Sequence, residues 1–139
     1  MGAGTKTSEE KNAPFGKEPQ HAAATATEQR AIFTAPCKCR VRGVRFTPDA
    51  ATTGDNTNRT DLNLVNKGAS GVGTTQVGNL DLLTGVNLVA LDETNIPLTG
   101  AYVSGVDLVA GDVLALEFEK VASGVAVGPI CGMVDWEPL

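Results

Sequence analysis

The residues that follow Arg30 form short apolar runs, each interrupted within a few positions by glycine, proline or polar residues. No run has the apolar spacing of an amphipathic helix, and in the clearest one, Val113 to Val121, apolar and acidic side chains alternate. Alternation with a period of two places successive side chains on opposite faces of a β-strand. The sequence therefore predicts an all-β fold, an antiparallel β-sandwich of jelly-roll-like type.

Further runs give the expected positions of individual strands. Cys39 to Phe46 alternates, but the phase of its apolar positions shifts by one residue at Gly43, which predicts a β-bulge. A strand is also expected where Val86, Leu88 and Ala90 alternate with other residues, and the final strand is expected at Ile130 to Trp136.

The first 30 residues differ in composition from the rest of the chain. They are polar and rich in alanine, threonine, glycine and proline, and apart from Met1 their only large apolar side chain is Phe15. Such a segment has little apolar surface to offset the entropy lost when a backbone is ordered. We therefore predict a flexible N-terminal arm over residues 1–30 and a β-sandwich domain over residues 31–139. The arm is either a disordered tail or a segment that becomes ordered on a neighbouring subunit, with Phe15 as anchor.

Composition and charge exclude several functions. The net charge is −5 and aromatic residues make up 4% of the chain. A general affinity for nucleic acid or anionic lipid is not expected, because both depend on clustered positive charge. No apolar stretch is long enough to span a bilayer and none opens the chain, so synthesis in the cytoplasm is expected. The odd number of cysteines, three, predicts reduced thiols.

The sequence predicts no catalytic residue, metal site or cofactor. The one histidine, His21, lies in the predicted arm, away from any site that could use it for proton transfer. Residues 68–75 imitate a phosphate-binding loop, but Thr74 occupies the lysine position, so a flexible connector is expected. Asp55, Asn56, Asn58 and Asp61 offer oxygen ligands that suggest calcium, but they lack the order of a calcium-binding loop. A loop tip is the simpler interpretation.

One strand carries a strip of basic side chains. Lys38, Arg40 and Arg42 project from the same face of an extended segment. They form either a docking strip for an acidic partner or cross-strand pairs with carboxylates such as Glu117 and Glu119. The candidate partner contacts are therefore Phe15, His21, Lys38, Arg40 and Arg42.

Taken together, the segments resemble a family of viral proteins. The chain has a polar arm, then residues 31–36 (AIFTAP) and 41–48 (VRGVRFTP), an Asn/Thr-rich loop, residues 62–68 (LNLVNKG) and residues 109–116 (VAGDVLAL). This series is similar to small β-sandwich proteins of tailed-bacteriophage virions, and most of all to head decoration, or capsid-stabilising, proteins.

The resemblance implies a protein that is not an enzyme. It implies a homotrimer on the exterior of the virion that contacts the major capsid protein, stabilises the assembled shell and uses its N-terminal arm for contacts. It implies no direct contact with nucleic acid or membrane. Deletion of residues 1–28 is then expected to leave the body folded and to weaken binding to the shell. The alternative is a tail, fibre or host-surface adhesion module that uses loops 49–61 and 67–78. A small jelly-roll enzyme would need a histidine cluster that the sequence lacks.

Overall fold

The structure is a computed structural model that describes residues 10–139. Nine β-strands and one short 3₁₀ helix, Gly100–Tyr102, form within these residues. In chain order the strands are β1 (Lys11–Glu18), β2 (Glu28–Thr34), β3 (Cys39–Pro48), β4 (Arg59–Gly68), β5 (Thr75–Leu80), β6 (Thr94–Ile96), β7 (Val106–Leu108), β8 (Val113–Val121) and β9 (Ile130–Pro138).

The strands form two antiparallel sheets that pack face to face. The first sheet has the order β1-β9-β3-β6, with β7 also paired to β3, and the second has the order β2-β8-β4-β5. The pairs are nested: β1 pairs with β9, β2 with β8, β3 with β6 and β7, and β4 with β5. A ribbon of paired strands that is folded over in this way is a jelly roll. The predicted β-sandwich is confirmed.

The predicted bulge is also confirmed. In the pairing of β3 with β9, Val41 lies opposite Trp136 and Gly43 lies opposite Asp135, so Arg42 is the extra residue. The strand next to β3 is interrupted at the same level, because β7 pairs with the segment before the bulge and β6 with the segment after it. A bulge locally disrupts the ladder, which explains why one continuous partner strand does not form.

The core lies between the sheets and is built mainly from aliphatic side chains. Both predicted phases of β3 face it, since Cys39 and Val41 are buried before the bulge and Val44 and Phe46 after it. The inward residues of the strongly alternating strand β8 are likewise buried. They are Leu114, Leu116 and Phe118.

The structure corrects the predicted domain boundary for residues 10–30. Lys11–Glu18 is a strand of the first sheet, and the residues that follow it reach the other side of the sandwich as part of the folded body. Residues 1–9 of the predicted arm lie outside the described residues. The low apolar content of β1 did not prevent a strand, because β9 supplies its backbone hydrogen bonds and its inward face needs only Phe15 and Ala13.

A second correction concerns the strand expected around Leu88. Residues 81–93 form a loop between β5 and β6, in which Leu88 is buried and pairs with Thr52 as an isolated bridge. The neighbouring apolar residues Val86 and Val89 are exposed. The alternating pattern therefore belongs to a loop, which the buried side chains of Leu82 and Leu88 anchor to the core.

Candidate functional site

The basic strip lies on the outer face of the first sheet and is paired within the chain. Arg40 donates two hydrogen bonds to Asp107 on β7, from Nε at 2.6 Å and Nη2 at 3.2 Å. Nη1 of Arg42 lies 3.5 Å from Oε1 of Glu137 on β9. The bond from Arg40 lowers the pKa of Asp107 below its ordinary value. Cross-strand pairing, one of the two interpretations of the basic strip, is therefore observed for Arg40 and Arg42, but the partners are Asp107 and Glu137.

The carboxylates expected to pair with the strip belong to the other sheet. Glu117 accepts hydrogen bonds from Gln29 and Asn63, and Glu119 accepts one from Asn63. Lys38 is exposed just before β3. A contact role for Lys38, Arg40 and Arg42 stays a prediction, and any partner would have to compete with the pairs that already engage the two arginines.

Phe15, proposed as an anchor on a neighbouring subunit, is instead part of this chain's own core. Its side chain is 7% exposed and belongs to the central cluster. Its partner residue on β9 is Gly132, where a Cβ atom would overlap the Phe15 ring. The glycine therefore provides the space that the ring fills, and in this conformation Phe15 has no surface left for a partner.

His21, the other candidate in the predicted arm, is fully buried. Its ring stacks on Phe118 with centroids 5.1 Å apart, and its Nδ1 donates to Oε1 of Glu28 at 2.6 Å. Its backbone exchanges two hydrogen bonds of 2.8 Å with Val127. Nε2 has no hydrogen-bond partner among the described residues. His21 thus joins the segment after β1 to the body, and it too presents no surface for a partner.

Glu28 connects this histidine to an arginine. Its Oε1 also accepts a hydrogen bond from Nη2 of Arg30 at 2.8 Å, and the Arg30 guanidinium lies 4.3 Å from the Phe118 ring centroid. The bonds from His21 and then Arg30 hold the pKa of Glu28 below its usual range. The cluster binds β2, β8 and the segment around His21 together.

Four loops meet at one end of the sandwich and hydrogen-bond to one another. We call this the loop end and define it as residues 19–27, 49–58, 81–93 and 122–129. Thr52 and Leu88 exchange backbone hydrogen bonds of 3.0 and 2.9 Å, and the Gly54 amide donates to Oδ1 of Asn87 at 2.8 Å. Each loop is therefore supported by its neighbours, and the loop end is a structured surface.

The oxygen side chains that suggested calcium help to build this surface. Oδ1 of Asp55 accepts the amides of Thr57 and Asn58, so it stabilises its own turn. Oδ1 of Asn58 accepts the Ser123 amide from another loop. Asp61 is buried against Arg59, and burial raises the pKa of its carboxyl. No group of three or more histidine, cysteine, aspartate or glutamate side chains within residues 10–139 is arranged to hold a metal ion.

The loop between β5 and β6 carries four exposed apolar side chains, which we call the apolar patch. They are Leu83, Val86, Val89 and Leu91, all within nine residues of chain, with Val89 56% and Leu91 77% exposed. Exposed apolar groups that are concentrated in one place mark interaction surfaces. The sequence prediction missed this patch because exposure cannot be read from an apolar run, and the strand expected here would have buried half of it.

A groove of about 220 Å³ lies where the strand beside β3 is interrupted. Its lining combines the Arg42–Gly43 bulge with Pro97 and Val103. Gly43 faces open space, with no atom within 4 Å of the position of a Cβ atom. Because its one charged group, Arg42, is already near Glu137, we assign this groove no function.

No helix within residues 10–139 is long and apolar enough to cross a membrane. No protein-family model matches the chain, and no curated protein matches it. Among solved structures, a chain from the structure of infectious bursal disease virus Gx strain aligns with 95% of this chain at 10% sequence identity and a TM-score of 0.23. This chain spans 38% of the length of that one. A similarity at this level carries no argument about fold or function.

Proposed function

We propose that this chain is a structural protein of a tailed-bacteriophage virion that decorates and stabilises the assembled capsid as a homotrimer. The observation that carries the proposal is the apolar patch on the hydrogen-bonded loop end of a jelly roll. Jelly rolls occur in capsid proteins as well as in lectins and cupins. Fold alone does not decide among these functions, but an exposed apolar surface favours those that require binding to another protein.

The physical requirement for decoration is binding to a protein surface without a chemical reaction. A surface that is ordered before binding loses little conformational entropy on docking. The loop end has this property, because residues of each loop donate hydrogen bonds to residues of another. Contact with the major capsid protein through this end replaces the contact by residues 10–30 that the sequence suggested, since those residues build β1 and the buried cluster around His21.

The test is the number of copies of this protein in purified virions, measured by quantitative mass spectrometry against the major capsid protein. Decoration predicts a copy number of the same order as that of the capsid protein. Imaging of particles with and without the protein should then show added density on the outer surface. A few copies per particle would overturn decoration in favour of a tail, fibre or adhesion role, and absence from particles would overturn both.

The trimer is tested separately by light scattering coupled to size-exclusion chromatography. A trimer presents three loop ends, and three contacts of modest affinity bind tightly when all engage one shell, because the later contacts become intramolecular. A homotrimer in solution or on the particle is expected. A monomer bound to particles would contradict the trimer, and decoration would then be tested by the copy number alone.

A further inference from the structure

Leu91 has a backbone conformation that a leucine rarely adopts. It is the third residue of the turn Val89–Asp92, which is closed by a 3.2 Å hydrogen bond from the Asp92 amide to the Val89 carbonyl. Its φ is +63°, in the left-handed region that favours glycine or asparagine. Its amide is held by the Pro48 carbonyl at 2.8 Å, which fixes the turn against the sandwich.

The side chain at this strained position is also largely in water. Leu91 is 77% exposed, so burial within the chain does not offset the strain. Strained backbone and exposed apolar surface are both unfavourable for an isolated protein, and residues that combine them are candidates for binding. The two independent observations, backbone conformation and exposure, point to the same residue.

The charges around the patch indicate which partner fits. Residues 81–93 contain Asp81, Asp92 and Glu93 and no lysine or arginine. Glu93 is paired with Arg45, and Asp81 accepts a hydrogen bond from Asn79. Asp92 is exposed, and its carboxylate forms no hydrogen bond or ion pair within the described part of the chain. The apolar patch therefore has an acidic rim with one carboxylate available.

We propose that the apolar patch docks onto a different protein, whose surface offers an apolar pocket for Leu91 surrounded by basic side chains. This inference rests on the proposed function and deepens it, because it names the chemistry of the capsid surface and the end of the sandwich that faces it. A second copy of this chain is a poor occupant, since it would bring one acidic rim against another. Nucleic acid and anionic lipid are disfavoured by the same repulsion.

The decisive variant is Leu91→Asn, because it separates stability from binding. Asparagine tolerates the left-handed conformation, so the variant should unfold at the same temperature as the wild type or at a higher one. It also removes the proposed anchor, so affinity should fall about tenfold or more. A purely structural leucine would show the opposite, namely a lower unfolding temperature with unchanged binding.

Two further variants test the charge of the acidic rim and the location of the binding surface. Asp92→Lys reverses the available charge and should weaken binding and reduce its dependence on salt. Val72→Asn is the matched control, because Val72 is 78% exposed but lies on the loop between β4 and β5, outside the loop end. It should leave binding unchanged.

Binding is measured first without any particle, by fluorescence anisotropy with an amphipathic leucine–lysine peptide as the probe. Its leucine–glutamate counterpart and phosphatidylglycerol vesicles are the comparison probes. Wild-type protein should bind the cationic peptide and neither of the others, and Leu91→Asn and Asp92→Lys should bind it more weakly. The proposal would be overturned if the wild type bound the acidic peptide as tightly as the cationic one, or if it bound the vesicles. It would also be overturned if Leu91→Asn and Asp92→Lys bound the cationic peptide as tightly as the wild type does.

Two additional measurements separate this inference from the proposed function. Light scattering of the wild type and of Leu91→Asn shows whether the apolar patch joins copies of this chain. If the wild type forms an oligomer that the variant does not form, the proposal that the patch binds a different protein is overturned. Occupancy of virions by wild type and Leu91→Asn then tests the capsid as partner. Absence of the wild type from particles, with the peptide result intact, would overturn decoration and leave the docking surface in place.

Discussion

Replacement of Phe15 by alanine tests whether residues 10–30 belong to the folded body. The side chain is 7% exposed, its ring lies against Gly132 of β9, and it belongs to the same cluster as the central residues of both sheets. If this segment is integral to the sandwich, Phe15→Ala leaves a cavity in the core. If the segment were a loosely attached arm, the substitution would lower the free energy of unfolding as little as a substitution at an exposed position does.

The expected magnitude follows from the burial of the ring. Phenylalanine-to-alanine substitutions in cores cost about 3–5 kcal/mol, which includes lost transfer energy and the remaining cavity. Domains have total stabilities of about 5–15 kcal/mol, so this loss is a large fraction. For a chain of this size it corresponds to a fall of roughly 10–20 °C in the unfolding temperature. Surface substitutions usually stay within about 0.5 kcal/mol.

The assay is guanidinium unfolding followed by far-ultraviolet circular dichroism, with thermal unfolding as a second measurement. Phe33→Ala is the positive reference, because Phe33 is 8% exposed and packs against Trp136 with ring centroids 5.7 Å apart. Lys11→Ala is the matched control on the same strand, where the side chain is exposed. We expect Phe15→Ala to resemble Phe33→Ala and Lys11→Ala to resemble the wild type.

A loss of less than about 0.5 kcal/mol for Phe15→Ala, together with a loss of about 3–5 kcal/mol for Phe33→Ala, would contradict the placement of Phe15 in the core. That result would show that the segment detaches at little cost and would restore the flexible arm. A change in the slope of the denaturant dependence would instead indicate that β1 unfolds separately from the rest.

Three further predictions follow from the same contacts. Deletion of residues 1–28 removes β1 and His21 together, so it should abolish cooperative unfolding, whereas an intact transition would contradict the role assigned to β1. Gly132→Ala should destabilise the protein by about 1–3 kcal/mol because the new methyl group overlaps the Phe15 ring, while Gly16→Ala, with no atom within 4 Å, should cost far less in the same unfolding assay. Glu28→Gln should narrow the stability difference between neutral and acidic pH. The pKa of Glu28 is held below its ordinary value of 4.5, so the stability it contributes is present above that pH and is lost as the pH falls through the lowered folded-state value. A wild-type-to-variant difference in unfolding free energy that is equal at pH 7 and pH 3 would count against this assignment.

The candidate site was less predictable than the strands. The charged residues of the basic strip were visible in the sequence, but their partners Asp107 and Glu137 lie 67 and 95 positions away from Arg40 and Arg42 along the chain and meet them only through strand pairing. The sequence did not indicate the apolar patch, because valines such as Val86 and Val89 occur in buried strands as well as in exposed loops. The strain at Leu91 comes from its positive φ, which the residues around this position do not predict.

Local sequence patterns were enough to predict the fold class and the positions of the strongest strands. The period-two pattern of β8, the phase shift at Gly43 and the final strand depend on neighbouring residues along the chain, and local spacing is enough to decide which face is apolar. In contrast, whether residues 10–30 fold with the body depends on tertiary contacts. Their low apolar content predicts no stable element, but β9 offers an open edge for β1, and the core offers spaces that Phe15 and His21 fill. Hydrogen bonds and burial between residues more than a hundred positions apart supply the free energy that the segment lacks on its own, and no local pattern encodes them.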